Sequence, residues 1–225
     1  MAELKKTTES FRFYTKVHLQ QLTGFKAGDL RELVHYLGIV PGGVIYHHTH
    51  RYLQQHQYLS PGLPNDFAYW TGKVLGEKAL AEQLSSIDIM QFDTIRSLRE
   101  KIIAIIKAHL KKHWRTREVL PGQEFYFIKD ISFVLPTPYE VWTLEEFVKV
   151  LREISIQSLY FHIFEARIRL EKKKNDFSSW MERSLCENVL AEKITKLDPY
   201  THTMEGLRES LILLVKKRVD EIKNA

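Results

Sequence analysis

Four of the ten histidines in this chain fall within ten residues, at His47, His48, His50 and His56. Imidazole titrates near neutral pH and binds transition metals through either ring nitrogen, so such a cluster offers acid–base chemistry or a metal site. Helical geometry sorts the four. At about 100° per residue, His47 and His50 share a face with Gln54 and Tyr58, while His48 borders an apolar face with Ile45, Tyr52 and Leu59. Two imidazoles three apart can hold a divalent transition metal if other ligands join them. Glu32 and His35, also three apart, would supply them, as Glu and His pairs do in di-iron helical bundles. Against this, Glu32 stands three residues after Asp29, the spacing of a helix capping box. A second candidate is a ligand-binding surface made by His47, His50, Gln54 and Tyr58, with Asp66 beyond the loop Ser60-Pro61-Gly62-Leu63-Pro64. No phosphate-binding glycine loop, nucleophile elbow or His-Glu-x-x-His motif is present.

The elements that must position these groups are written twice. A shift of 114 matches Phe11 with Phe125, Phe13 with Phe127, Thr23 with Thr137, Glu32 with Glu146 and His48 with His162. Past a shorter loop the shift becomes 110 and matches Asn65-Asp66-Phe67 with Asn175-Asp176-Phe177, and Trp70 with Trp180. Residues 65–88 contain ten such identities, where roughly one or two would arise by chance. The repetition separates scaffold from candidate function. His48 recurs beside apolar neighbours and reads as a satisfied core residue. His47 and His50 do not recur, because their counterparts are Phe161 and Phe164.

Each copy opens with alternating apolar residues, Phe11, Phe13, Val17 and Leu19 in the first and Phe125, Phe127, Ile131 and Phe133 in the second. That period predicts a short strand. A single strand has open edges, so the two pair with each other or with a partner chain, and a homodimer would satisfy them. The remainder of the first copy reads as helices over about 30–38, 44–58, 65–75, 77–86 and 94–115, with the same pattern in the second. The run Val119-Leu120-Pro121-Gly122-Gln123 is the natural seam. The expected fold is therefore mainly α: two tandem copies of a helical unit, residues 1–118 and 119–225, related by a pseudo-two-fold, each with one short strand, packed as one body.

The totals bound the function. The chain has 225 residues, 44% of them hydrophobic, enough for one substantial core, and no run long enough for a membrane span. Its first residues lack an apolar signal core, and its single cysteine, Cys186, fits a reducing cytoplasm and reads as a small packing residue. The net charge of +5 comes largely from Lys and Arg where helices end, which the helix dipole favours. Without aromatics or glycines interleaved among them, these cations argue against nucleic acid as the main ligand.

The run from Tyr46-His47-His48-Thr49-His50-Arg51 to Leu59-Ser60-Pro61, followed by Pro64-Asn65-Asp66-Phe67-Ala68-Tyr69-Trp70, resembles a bacterial family known only as a domain of unknown function. The resemblance implies a bacterial, cytoplasmic protein and carries over no activity, cofactor or catalytic residue. The functional expectation is a binding or assembly module whose first copy recognises a protein partner or a small polar ligand. The alternative is a metal-dependent enzyme built on His47 and His50.

Overall fold

The computed structural model describes residues 7, 9–52, 55, 63–113, 116–166, 174–197 and 203–224. Two strands, β1 (Phe11–Ala27) and β2 (Phe125–Val141), each run for 17 residues and pair antiparallel in a two-stranded sheet. The Thr23 hydroxyl donates to the Phe127 carbonyl, and its counterpart Thr137 donates to the Phe13 carbonyl, both at 2.7 Å. Pro136 and Pro138 lie within β2 and lack an N–H. A two-stranded sheet tolerates them because each strand keeps one unpaired edge.

Helices account for 61% of the residues and strands for 18%, so the fold is mixed α/β, not the mainly helical repeat with short strands expected above. The alternation that announces each strand fades after about nine residues, yet inter-strand hydrogen bonds and side-chain pairs carry the extended conformation further. Arg12 bonds Glu140 at one end and Lys26 bonds Glu124 at the other.

The contacts also divide the chain differently from the expected seam at 118/119. One compact unit comprises residues 18–132, and the other joins residues 1–17 to 133–225. The phenylalanines explain this. Phe125 and Phe127 pack among His48, Phe67 and Trp70, whereas Phe11 and Phe13 pack among Phe147, His162, Phe177 and Trp180. Each Phe-x-Phe pair thus fills the core beneath the helices of the other sequence copy.

In the unit of residues 18–132, α1 (Leu30–Ile39) is capped by Asp29, whose side chain accepts from the N–H groups of Arg31 and Glu32. Val40 is extended ahead of Pro41, which ends the helix. Helix α2 (Gly42–Tyr46) continues as a π-helical turn, His47–Arg51. Helix α3 (Asp66–Tyr69) likewise widens into a π turn, Trp70–Val74, and α4 (Lys78–Ser85) and α5 (Ile95–Lys112) follow. Gly43 is required where α2 meets β2: a Cβ there would stand 2.7 Å from the Asp130 carbonyl oxygen.

In the other unit, α6 (Leu144–Glu153) carries a complete capping box from Thr143 and Glu146. Helix α7 (Ile156–Tyr160) continues as the π turn Phe161–Glu165, before α8 (Asp176–Leu185), α9 (Asn188–Thr195) and α10 (Met204–Lys223). Matched residues make matched contacts. The Trp70 indole N–H donates to the Gln123 carbonyl at 2.8 Å, and that of Trp180 to the Glu9 carbonyl at 2.9 Å. Arg99 bonds the carbonyl of Val40, and Arg208 those of Leu151 and Ile154, satisfying acceptors at the ends of α1 and α6. Cys186 departs from its expected packing role. It is exposed and forms the left-handed cap of α8 at φ 60°, a place set by backbone geometry. Among the described residues, no helix is long and apolar enough to cross a membrane.

Candidate functional site

His48 and His162 show what the scaffold demands. His48 Nδ1 lies 2.7 Å from Asp66 Oδ2, while its Nε2 accepts the Ile128 backbone N–H at 3.0 Å. In the other unit His162 Nδ1 lies 2.8 Å from Asp176 Oδ2, and Nε2 accepts the Tyr14 N–H at 2.8 Å. Because Nε2 accepts, the proton sits on Nδ1 and is donated to the carboxylate. Both nitrogens are spent on tying a helix to a strand. This closed arrangement explains the recurrence of the histidine and leaves neither nitrogen for catalysis or metal binding.

The neighbouring positions differ in kind. His47, Thr49 and His50 stand where the other unit has Phe161, Ile163 and Phe164, and all six are buried. The first copy therefore places polar groups where the second buries hydrocarbon, against a desolvation penalty. Two changes on the strands extend the difference. His18 replaces Ser132, and Asp130 replaces Lys16. His18 Nδ1 and Asp130 Oδ2 are 2.8 Å apart, with both side chains almost fully buried. Among the described residues, His18 Nε2 and Asp130 Oδ1 have no hydrogen-bond partner. In the other unit, Lys16 instead forms a buried ion pair with Glu165 at 2.6 Å.

His50 belongs to a ring stack and not to an open surface. Its ring is parallel to Tyr46 within 3°, at 5.5 Å between centroids, and His18 stacks near Tyr46 at 6.1 Å. The Thr49 hydroxyl donates to the Ile45 carbonyl at 2.6 Å and therefore accepts from His50 Nδ1 at 3.1 Å, which places the His50 proton on Nδ1.

His47 faces elsewhere. Together with Gln20, Tyr52, Gln55, Asp66 and Tyr69 it lines a cleft of about 460 Å³ within the unit of residues 18–132. His47 is 7% exposed, and its Nδ1 is buried with no partner among the described residues. Burial, then the adjacent His48, lowers its pKa from 6.5 to about 4, outweighing the attraction of Asp130 and Asp66, so the ring is neutral at physiological pH. Burial, reinforced by Asp66, raises the Tyr52 phenol to about 12 and keeps it protonated. Asp66 spends Oδ2 on His48, and its other carboxylate oxygen has no hydrogen-bond partner among the described residues.

The structure thus brings His47 and Asp66 together and turns His50 toward Tyr46. Gln54 and Tyr58 lie outside the described residues. Glu32 and His35 are exposed on α1, with Glu32 accepting the Gly28 N–H at 2.8 Å and His35 resting against Tyr36. The proposed ligand set of His47, His50, Glu32 and His35 is not assembled, and no cluster of metal-ligating side chains occurs among the described residues. The reading of the sequence missed Gln20, Tyr52, Gln55 and Tyr69 as lining residues, and His18 and Asp130 as polar groups confined to one unit. The exchange of His18 for Ser132 and of Asp130 for Lys16 was the available signal.

Comparison with known proteins is consistent with this architecture. The structure of OrfY from Thermoproteus tenax is similar at a TM-score of 0.80 and 26% identity, over 96% of this chain and 98% of that one. None of the curated proteins compared with the chain matches it. A family model matches residues 8–216, nearly the whole chain, and the protein accordingly belongs to the Family of unknown function (DUF5752).

Proposed function

We propose that the protein is a binding module that recognises a small polar ligand in the cleft of the unit formed by residues 18–132. The observation that carries this reading is His47, a buried imidazole at the wall of a cleft whose Nδ1 has no partner among the described residues, where the other unit has Phe161. Leaving a buried polar atom unsatisfied lowers stability, and groups that break the rules of packing concentrate at functional sites. Hydrogen-bonding groups around a cleft suit recognition of a polar molecule better than covalent chemistry, because no nucleophile stands beside a base among the described lining residues. A cytoplasmic setting is supported by the single cysteine, Cys186, which rules out a disulfide within the chain.

Ligand-observed NMR with a panel of small amines, alcohols, amides and carboxylates provides the test, using the full chain and the His47→Phe variant. Saturation transfer to at least one chemical class, lost in the variant while its unfolding stays cooperative, is the expected result. Transfer that is absent throughout, or unchanged in the variant, would refute the assignment.

A further inference from the structure

The chemistry of the cleft narrows its ligand. Of the six described residues that line it, only Asp66 carries a formal charge, and that charge is negative. Gln20 and Gln55 are neutral, Tyr52 remains protonated, and His47 is neutral above about pH 4. Arg51 is close enough to oppose protonation of His47 but does not line the cleft, and Asp130 acts on His47 in the opposite sense. A carboxylate or phosphate entering here would meet Asp66 with no cation among the described lining residues to offset it.

A neutral ligand meets a different obstacle. The Asp66 side chain is 30% exposed, and one of its oxygens lacks a partner among the described residues. Covering that oxygen strips its water, and an uncharged donor repays the loss less well than a charged one. The two phenol rings add attraction for a positive charge through their electron-rich faces. The cleft volume of about 460 Å³ is that of a site for a small organic molecule.

The other unit supplies an internal contrast. Asp176 lines a cleft of about 560 Å³ together with Glu9, Arg12 and Arg183, so an entering ligand meets cations as well as carboxylates there. The positions of His47, Tyr52 and Tyr69 are held there by Phe161, Ala166 and Ser179. The aromatic and carboxylate set without a lining cation is thus specific to residues 18–132.

We propose that this cleft binds an organic ammonium ion, with its charge against the Asp66 carboxylate and its carbon frame against Tyr52 and Tyr69. The proposal rests on the ligand-binding reading of the cleft and adds the charge and class of the ligand.

The test titrates the full chain with n-butylammonium and putrescine, with their neutral counterparts 1-butanol and 1,4-butanediol, and with butyrate. Binding is followed through the ring resonances of Tyr52 and Tyr69. Asp66→Asn removes the charge while leaving an oxygen to accept from His48, and Tyr69→Leu alters an exposed residue with little bearing on folding. The expected result is saturable binding of both ammonium compounds, weakened at least about tenfold in Asp66→Asn, the worth of one charge-assisted hydrogen bond. It should also weaken in Tyr69→Leu. Alcohols binding as tightly as the amines, or Asp66→Asn leaving the amine affinity unchanged, would overturn the ammonium assignment while preserving the cleft as a ligand site. Failure of every compound to move the two rings would overturn both.

Discussion

Replacing His47 with phenylalanine, the residue at the matched position 161, should make the protein more stable, and increasingly so toward acid. Two contributions add. At neutral pH the substitution removes a buried nitrogen that has no partner among the described residues, a group that costs about 1–3 kcal/mol. The larger ring brings some strain, but it borders an open cleft that can accommodate it. The net gain is about 1–2 kcal/mol, equivalent to a rise of about 2–8 °C in Tm for a chain of this size. The second contribution is linkage. His47 has a pKa near 4 when folded and 6.5 when unperturbed, so below pH 6.5 the unfolded chain binds a proton that the folded chain refuses. Stability from this residue is therefore present above pH 6.5 and lost as the pH falls toward 4, by a total of about 3 kcal/mol. The variant lacks that loss, so its advantage should widen to about 4–5 kcal/mol near pH 4. Urea denaturation of both proteins at pH 7, 5.5 and 4.5 measures the difference directly, with other titrating groups common to both. A variant less stable by more than about 1 kcal/mol at pH 7, or an advantage that does not change with pH, would refute the reasoning.

Trp70→Ala and Trp180→Ala should each cost about 3–5 kcal/mol in chemical denaturation, since both indoles are 5% exposed and bonded to a backbone carbonyl. His48→Ala and His162→Ala should each cost about 2–4 kcal/mol by leaving a carboxylate and a strand N–H without their partner. Nitrogen-15 spectra of the wild type should show both rings protonated on Nδ1. A fragment spanning residues 18–132 should give a cooperative thermal transition by circular dichroism, whereas residues 1–118 should not, because that piece omits Phe125 and Phe127.

Local signals were legible where a single helix or turn suffices to explain them. The caps at Asp29 and Thr143 and the closed role of His48 could be read because spacing and recurrence encode them. The strands were read short because Gln20, Gln21, Pro136 and Pro138 interrupt the alternation, although cross-strand bonds continue past them. Matching Phe11 with Phe125 cannot say whose helices each phenylalanine covers, since either choice buries the same rings. The cleft was half legible for a geometric reason. A helical wheel at α spacing places His47 and His50 together, but the segment His47–Arg51 winds as a π turn, and the wider turn sends one ring to the cleft and the other to Tyr46. Tyr69 directly precedes a second π turn, Trp70–Val74, whose counterpart Trp180–Ser184 is ordinary α-helix.

The division of each strand between the two units sets an order of events during synthesis. Once residue 132 has left the ribosome, the unit of residues 18–132 possesses all its parts, whereas residues 11–17 still lack the helices that bury them. Phe11 and Phe13 must wait while residues 133–225, 93 in number, are made, on the order of 5–20 s at cellular translation rates. During that interval the chain carries a folded body behind a tethered apolar hook whose receptor does not yet exist. The core of the other unit is completed by contacts more than a hundred residues distant in sequence, Phe11 against Phe147 and Trp180, so residues 11–17 find their place only after the helices that follow them have been made.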